Sequence, residues 1–312
     1  MLHRAFALIA LALALFLGGC GDDDSSQPAN TAATTSAAAA FPVTIEAENG
    51  TVTIEDRPER IVSLSATATE TLFAIDADEQ VLAVDDQSNY PEDAPQTKLS
   101  GFQPNVEAIA GYEPDLVVAA FDPGDLVNGL EKLDVPVLLY SAPKDLEGAY
   151  DQIEALGAAT GHGEDADDVV ASMKSDIADL VDDAEGAEGR SVYHELGPDF
   201  FSATSQTFIG SVYKVLGLEN IADEAGGTAP DYPQLSAEYI LSADPDLIVL
   251  SDTKCCGQSP QTVAKRPGWK TLTAVKEGNV VPVDDDIASR WGPRTVEFVE
   301  LIARAVAELQ AR

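Results

Sequence analysis

One segment of the chain occurs in two similar copies, 131 residues apart. EAIAGYEPDLVV at residues 107–118 and EYILSADPDLIV at residues 238–249 both begin with Glu, reach Pro-Asp seven residues later and end in an aliphatic run. Each copy has the pattern of a short helix followed by a buried strand. The pattern is common enough for a chance match, but each copy is the second helix–strand unit of its half. We therefore interpret the repeat as the same position in two similar lobes.

Short aliphatic runs alternate with helical patterns through the rest of the chain. This alternation predicts an α/β fold with two Rossmann-like lobes of βαβ units and parallel sheets. Asn49-Gly50 between two alternating runs predicts a β-hairpin before the first sheet. Thr67 and Glu70 have the spacing of a capping box, so a helix is predicted to begin near Thr67. Predicted strands cover residues 61–64, 81–84, 116–119, 135–140, 190–194, 247–250 and 280–283, and further predicted helices cover residues 105–111, 126–133, 146–160, 207–216, 237–241, 268–275 and 293–309.

A long helical stretch separates the two halves. Residues 164 to about 185 carry apolar side chains at helical spacing, and the opposite face is strongly acidic. The stretch is either a surface helix of one domain or a rigid connector, and a new strand–helix alternation directly after it favours the connector. The predicted segments are a signal peptide (1–19), a lipidated Cys with a flexible tether (20–40), an N-terminal lobe (41–160), the connector helix (161–187) and a C-terminal lobe (188–312).

The first forty residues have the pattern of an export signal and a tether. A basic head precedes an apolar run at residues 5–17, which is too short to span a membrane comfortably as a mature helix. The run ends in Leu-Gly-Gly-Cys, which resembles a bacterial lipobox with Cys20 as the lipidated residue; an ordinary signal peptide with a chance Cys is the alternative. Residues 21–40 are rich in Ser, Thr, Ala and Asp. We expect an extracytoplasmic protein held at the membrane by a lipid alone.

The charge balance excludes one class of partner. The chain has 54 acidic and 18 basic residues, for a formal net charge of −36. Nucleic acid binding requires clustered Lys and Arg, so we expect no nucleic acid partner. Such acidity suits an exported protein in a salty medium.

Two adjacent cysteines remain once Cys20 is lipidated. Cys255 and Cys256 would be exported to an oxidising compartment. Adjacent Cα atoms lie about 3.8 Å apart, below the usual disulfide range of roughly 4.4–6.8 Å, so a bridge here would be a vicinal ring. A zinc site needs further Cys or His partners, which the neighbouring sequence lacks. A vicinal disulfide and two free thiols both stay open.

The glutamates that begin the repeated segment fall in the first turns of two helices. A single carboxylate there stabilises its helix by about 0.3–1 kcal/mol through the helix dipole and needs no function. Glu107 and Glu238 at matched positions in two lobes would instead present one acid each to a two-fold partner with basic patches.

A series of segments resembles one known family in order and spacing. The family is the periplasmic substrate-binding proteins of ABC importers for cobalamin, ferric siderophores and haem, and its cobalamin-binding members are the most similar. The resemblance implies two lobes joined by a rigid helix, a ligand between the lobes, and one Glu per lobe, here Glu107 and Glu238, that pairs with Arg on a dimeric permease. It also implies a monomer with no resident cofactor. The segments are RIVSLSATATETLFAI (60–75), SNYP (88–91), GFQPNVEAIAGYEPDLVVA (101–119), SQTFIGSVYKVLGLENIA (205–222), YPQLSAEYILSADPDLIVL (232–250) and SRWGPR (289–294).

The resemblance also implies a set of ligand-binding residues on loops after the strands. Gln87 departs from the family, because the cobalamin binders have Tyr there. Only Arg290 and Arg294 offer positive charge for an anionic siderophore or haem. A neutral or cationic corrinoid therefore suits the charge of this cleft better. His194 is a weak candidate for the axial ligand of a bound chelate, since a lone His is more often a hydrogen-bonding residue. The predicted ligand-binding residues are Gln87, Tyr90, Phe102, Phe121, Phe201, Thr204, Tyr232, Arg290 and Trp291.

Capture of a corrinoid or metal chelate for delivery to an importer is the leading interpretation of function. A ferric siderophore or haem binder of the same family is the main alternative. A chelatase-like enzyme on a similar fold is disfavoured, because the sequence has no nucleophile elbow, metal-ligand cluster or phosphate loop. A non-transport extracellular sensor stays open.

Overall fold

The computed structural model describes residues 41–184, 187–225 and 230–310. The predicted signal peptide, Cys20 and the tether lie outside these residues and stay predictions.

The first half forms a hairpin followed by a five-stranded parallel sheet. The predicted hairpin is present, but its two turn residues are Glu48 and Asn49, and Gly50 is the first residue of its second strand. The sheet has the order β5-β4-β3-β6-β7, and every neighbouring pair is parallel. Strand β5 was not predicted, because Gln96, Thr97 and Lys98 give it no apolar run. The elements are β1 (Val43–Ala47), β2 (Gly50–Ile54), β3 (Ile61–Leu64), α1 (Ala66–Ala74), β4 (Val81–Asp85), β5 (Gln96–Leu99), α2 (Val106–Ala110), β6 (Leu116–Ala119), α3 (Leu126–Glu131), β7 (Val137–Leu139) and α4 (Leu146–Thr160).

The second half forms a four-stranded parallel sheet. Its order is β11-β10-β8-β9. The helix predicted over residues 268–275 is instead a 3-10 turn, Trp269–Thr271, followed by a separate short helix, because Leu272 is extended. The elements are α5 (Gly163–Asp183), β8 (Ser191–Glu195), α6 (Phe208–Val215), β9 (Glu219–Asn220), α7 (Ala237–Ala243), β10 (Leu247–Leu250), α8 (Thr253–Cys256), α9 (Pro260–Val263), α10 (Thr273–Glu277), β11 (Val280–Pro282), α11 (Asp285–Ser289) and α12 (Thr295–Gln310).

The repeated segment occupies equivalent positions in the two sheets. Helix α2 leads into β6, which pairs with the first strand of its sheet, and α7 leads into β10, which pairs with β8, the first strand of the second sheet. The Asp of the Pro-Asp pair has the same role in both copies. Asp115 accepts hydrogen bonds from the backbone N–H groups of Glu59 and Arg60, just before β3. Asp246 accepts one from the N–H of Ser191, the first residue of β8. Each Asp therefore ties its strand to the start of the strand beside it.

Helix α5 lies between the two sheets in the chain and packs against helices from both halves. Its contacts are with α4 and with α12. Val170, Met173 and Ile177 are buried in an apolar cluster that also contains Ile153 of α4 and Ile302 of α12. The helix therefore bridges the halves through a continuous core, which favours the connector over a surface helix of one domain. The predicted α/β class with parallel sheets is confirmed; the exact domain boundaries stay a prediction.

The acidity of the chain makes its stability depend on salt. With a net charge of −36, mutual repulsion of carboxylates opposes the compact state. We expect the melting midpoint to rise by several degrees between ~0.05 M and ~1 M NaCl, as the screening length falls from above ~10 Å to ~3 Å. Differential scanning calorimetry measures the shift. Sucrose, which stabilises without screening charge, serves as the control, and a midpoint equal at both salt concentrations would contradict the expectation.

Candidate functional site: a cleft at the carboxyl ends of the strands

A cavity of about 270 Å³ lies where the carboxyl ends of β3 to β6 meet the segment between β11 and α12. Parallel sheets place their loops, and with them their ligands, at this edge. The cavity therefore has walls from both halves of the chain. Of the sequence-predicted ligand-binding residues, it brings together Gln87, Phe102, Phe121, Arg290 and Trp291.

Two phenylalanines form an exposed apolar surface on one wall. Phe102 is 60% exposed and Phe121 is 45% exposed, and their rings stack with centroids 5.4 Å apart. Phe102 follows β5 and Phe121 follows β6, so two loops combine to build the surface. Large rings left in water at a cleft are typical of a surface that binds a partner or ligand.

Arg290 lines the cavity but its charge is already balanced. Its guanidinium donates to Glu70 Oε1 at 2.6 Å and to the Gln87 carbonyl at 2.9 Å, and it pairs with Asp286 at 3.0 Å. Arg294 donates to both oxygens of the same Glu70. Glu70 is 3% exposed, so this is a buried cluster that joins the two halves. The expectation that these arginines offer free positive charge to a guest is therefore wrong.

The cluster also corrects the predicted start of α1. The residue that caps the helix is Ser65, whose side chain accepts from the backbone N–H of Ala68. Glu70 does not serve a capping box with Thr67, because it is engaged by Arg290 and Arg294. The capping-box spacing predicted a local role for Glu70, but its partners lie more than two hundred residues away in the chain.

Two further contacts cross the cleft. Trp291 donates from its indole Nε1 to Gln152 Oε1 at 2.8 Å, which fixes the ring against α4. Asp286 accepts from Asn89 Nδ2 at 3.0 Å and from Lys254 Nζ at 2.8 Å. Partial burial opposes ionisation of Asp286, but these donors and the Arg290 charge lower its pKa. The wall from the second half is therefore held rigidly to the first half.

Sequence comparison places the chain in a family. Residues 61–287 match the periplasmic binding protein family. The chain belongs to that family. It is 33% identical, over 98% of both chains, to an ABC transporter substrate-binding lipoprotein of Bacillus subtilis. It is 33% identical to a cobalamin-binding protein of Halobacterium salinarum, over 97% of this chain and 85% of the other.

Solved structures of periplasmic binding proteins share the fold. The periplasmic vitamin B12 binding protein of Vibrio cholerae matches with a TM-score of 0.68 and 25% identity, over 81% of this chain and 98% of that chain. A periplasmic heme-binding protein of Roseiflexus matches with a TM-score of 0.71 and 24% identity, over 81% of this chain and 99% of that chain. The two-lobed fold with a cleft between the lobes is therefore shared by proteins with different guests.

Four of the predicted ligand-binding residues lie away from the cavity of this periplasmic binding protein. Tyr90 is 45% exposed and stacks under the guanidinium of Arg294, 4.1 Å from its ring centroid. Phe201 and Tyr232 are each 41% exposed on loops of the second half. Thr204 is buried in the turn before α6, where its hydroxyl accepts from the N–H of Gln206. The three exposed rings stay candidates for a larger guest surface.

His194 cannot act as an axial ligand in this structure. It is fully buried, and burial lowers its pKa to about 3. Its Nδ1 lies 2.5 Å from the Tyr213 hydroxyl and its Nε2 lies 2.9 Å from Ser251 Oγ. Both ring nitrogens are used inside the core, so the sequence-based candidate is wrong. Among the residues the structure describes, no group of three or more His, Cys, Asp or Glu could hold a metal ion.

Glu107 and Glu238 are exposed in the first turns of α2 and α7. The helices begin in the same way: the side chain of Asn105 accepts from the N–H of Ala108, and that of Ser236 accepts from the N–H of Tyr239. Within the described ranges, neither carboxylate has a hydrogen-bond or ion-pair partner. Each helix also leads into a strand that pairs with the first strand of its sheet, so the two acids occupy matching places in the two lobes.

The cysteine pair lies next to the cleft, on α8. In the structure Cys255 and Cys256 are joined as a vicinal disulfide, and both are exposed. Asp285 accepts from the N–H groups of Thr253, Lys254 and Cys255. Burial opposes ionisation of Asp285, but these bonds lower its pKa. The pair does not line the 270 Å³ cavity.

Alkylation distinguishes the disulfide from two free thiols. We expect the purified tail-free protein to gain no mass when it is treated with iodoacetamide without reductant, even after unfolding in urea. After reduction it should gain two carbamidomethyl groups, one on Cys255 and one on Cys256. Intact-mass spectrometry measures both states. Gain of two groups before reduction would contradict the disulfide.

No helix within the described ranges is both long enough and apolar enough to cross a membrane.

Proposed function

We propose that this chain is the extracytoplasmic substrate-binding component of an ABC importer, and that its guest is a corrinoid. The observation that carries the proposal is the cavity between the lobes, whose wall of stacked phenylalanines faces a cleft without free positive charge among the described residues. A flat macrocycle gains roughly 0.5–1.5 kcal/mol from each good aromatic contact beyond area burial. The role needs capture and release only, and no covalent chemistry.

The relatives support both parts of the proposal. A lipoprotein of Bacillus subtilis is named as an ABC transporter substrate-binding component, and the Halobacterium relative is named for cobalamin. A vitamin B12-binding protein of Pectobacterium carotovorum is 28% identical over 81% of this chain. Anionic guests such as haem or a ferric siderophore are less suited to this cleft, because Arg290 and Arg294 are already paired with buried carboxylates.

The N-terminal segment is proposed to anchor the protein to the membrane. Lipidation of Cys20 would leave residues 21–40 as a tether between the outer face of the membrane and the lobes. The lipoprotein named among the relatives supports this arrangement. Labelling of wild-type cells, but not of cells with Cys20→Ser, by radioactive palmitate would test it.

Thermal melting with three guests tests the choice of ligand. The tail-free protein is melted with cyanocobalamin, haemin and a ferric hydroxamate. A true guest at about a hundred times its dissociation constant adds about 2.7 kcal/mol to the free energy of unfolding. We expect this stabilisation with cyanocobalamin alone. Stabilisation by haemin or the hydroxamate but not by cyanocobalamin would show that the ligand is not a corrinoid. Stabilisation by none of them would contradict the proposed function.

A further inference from the structure

A buried carboxylate that sequence reasoning did not single out lies on the cavity wall. Asp85 is the last residue of β4, is 3% exposed and lines the cavity. Its Oδ1 accepts from the backbone N–H of Ser88 at 3.0 Å and from the Ser88 hydroxyl at 2.7 Å. The backbone N–H of Gln87 also donates to this carboxylate. Ser88 therefore fixes Oδ1, and Oδ2 lies beside Gly101.

No positive charge of the described cleft compensates this carboxylate. Arg290 lines the same cavity, but its guanidinium is used by Glu70, the Gln87 carbonyl and Asp286. Burial is the main influence on the pKa of Asp85 and raises it; the hydrogen bonds from Ser88 and from the backbone N–H of Gln87 oppose the rise, and the charge of Asp86 adds to it. A nearly buried carboxylate with no compensating cation is costly, so its presence at a ligand cavity calls for an explanation.

Gly101 keeps the space around Asp85 Oδ2 open. This glycine also lines the cavity. A Cβ at this position would lie 2.9 Å from Asp85 Oδ2 and 2.5 Å from the carbonyl oxygen of Leu64. Any side chain at residue 101 would therefore collide with the backbone and crowd the carboxylate. Glycine at this position leaves Oδ2 within reach of a group that enters the cavity.

We propose that Asp85 is a ligand-binding residue whose Oδ2 accepts a hydrogen bond from an N–H donor of the guest and rejects guest carboxylates. The assignment rests on the proposed function, because it concerns the guest of the same cleft. It narrows the guest to a macrocycle that presents amide N–H or cationic groups at its edge. A corrinoid edge with primary amides fits this chemistry, and a porphyrin edge with carboxylates does not. The specificity follows from like-charge repulsion in a desolvated site.

Variants at two neighbouring acids test the assignment. Asp85→Asn keeps an oxygen that can accept from Ser88 but removes the charge, and Asp85→Ser removes both carboxylate oxygens. Asp86→Asn makes the same charge change one residue away on an exposed side chain, and is the matched control. Affinities for cyanocobalamin and for its monocarboxylates, in which one edge amide is hydrolysed, are measured by isothermal titration calorimetry. Melting midpoints of all variants report whether the fold is kept.

We expect the wild type and Asp86→Asn to bind cyanocobalamin at least about tenfold more tightly than at least one monocarboxylate. Asp85→Asn should bind that monocarboxylate about as well as cyanocobalamin, and Asp85→Ser should lose about ten- to a hundredfold in affinity for cyanocobalamin. Binding of cyanocobalamin by Asp85→Asn and Asp85→Ser with wild-type affinity and selectivity would overturn the assignment and leave the proposed function intact. Failure of the wild type to bind any corrinoid would overturn both.

Discussion

Replacement of Glu107 and Glu238 together by Arg should abolish uptake of the guest while the purified protein keeps its affinity for it. Both carboxylates are exposed at matching helix starts, and neither has a partner within the described residues. We propose that they contact basic groups on the two subunits of a permease. Arg at both sites would set like charges against each other across that interface, which costs several kcal/mol. Uptake should therefore fall by more than about tenfold, since each 1.4 kcal/mol is a factor of ten.

The measurement pairs two assays on the same variants. Uptake of radiolabelled cobalamin is followed in cells that lack the native protein, and affinity is measured by calorimetry on the tail-free protein. Glu131→Arg with Glu308→Arg is the matched control, because it makes the same charge change at two exposed helical positions elsewhere. Normal uptake by the Glu107/Glu238 variant would remove the docking role. Loss of affinity in the purified variant would instead move these residues to the ligand site.

Glu70→Gln should destabilise the fold by about 3–5 kcal/mol, because it removes the buried carboxylate that two largely buried guanidinium groups share. The Glu70 side chain is 1% exposed, and those of Arg290 and Arg294 are 8% and 15% exposed. Glutamine has nearly the same shape, so the loss reports charge and hydrogen bonding rather than a cavity. Since Glu70 lies on α1 and both arginines lie next to α12, the variant also loosens the contact between the two halves.

Chemical denaturation of the tail-free protein at constant ionic strength measures this loss. Glu300→Gln is the control, because Glu300 pairs with Arg304 on the surface of α12, where such a pair contributes about 0.3–0.5 kcal/mol. We expect an unchanged denaturant slope in the control and a clear shift of the midpoint in Glu70→Gln alone. Equal midpoints for the two variants would show that the buried cluster is not a source of stability.

The secondary structure was predictable wherever the pattern was apolar. The aliphatic runs at β3, β6 and β10 are buried along their whole length, so their sequences alone identify them. Strand β5 was missed, because an edge strand needs apolar side chains on one face at most and three of its four residues are polar.

The site was predictable only in part, because its chemistry depends on partners that are distant in the chain. Phe102 and Phe121 were found because the family resemblance places ligand-binding residues on the loops after the strands. Asp85 had no such signal, since an Asp at a strand end is ordinary until its burial and its place on the cavity wall are known. His194 was a candidate ligand in the sequence until Tyr213 and Ser251 were seen to use both its nitrogens.

The sequence by itself determined most of the strands and helices and the repeated helix–strand segment, because apolar periodicity and the Pro-Asp pair act between residues that are neighbours in the chain. Only the tertiary structure decided which charged side chains have a partner of opposite charge. Arg290 pairs with Glu70, 220 residues away in the chain, whereas Asp85 has no cationic partner among the residues that the structure describes. Electrostatic compensation depends on the distance between charges in space and on their desolvation, and neither quantity can be read from the order of the residues in the chain.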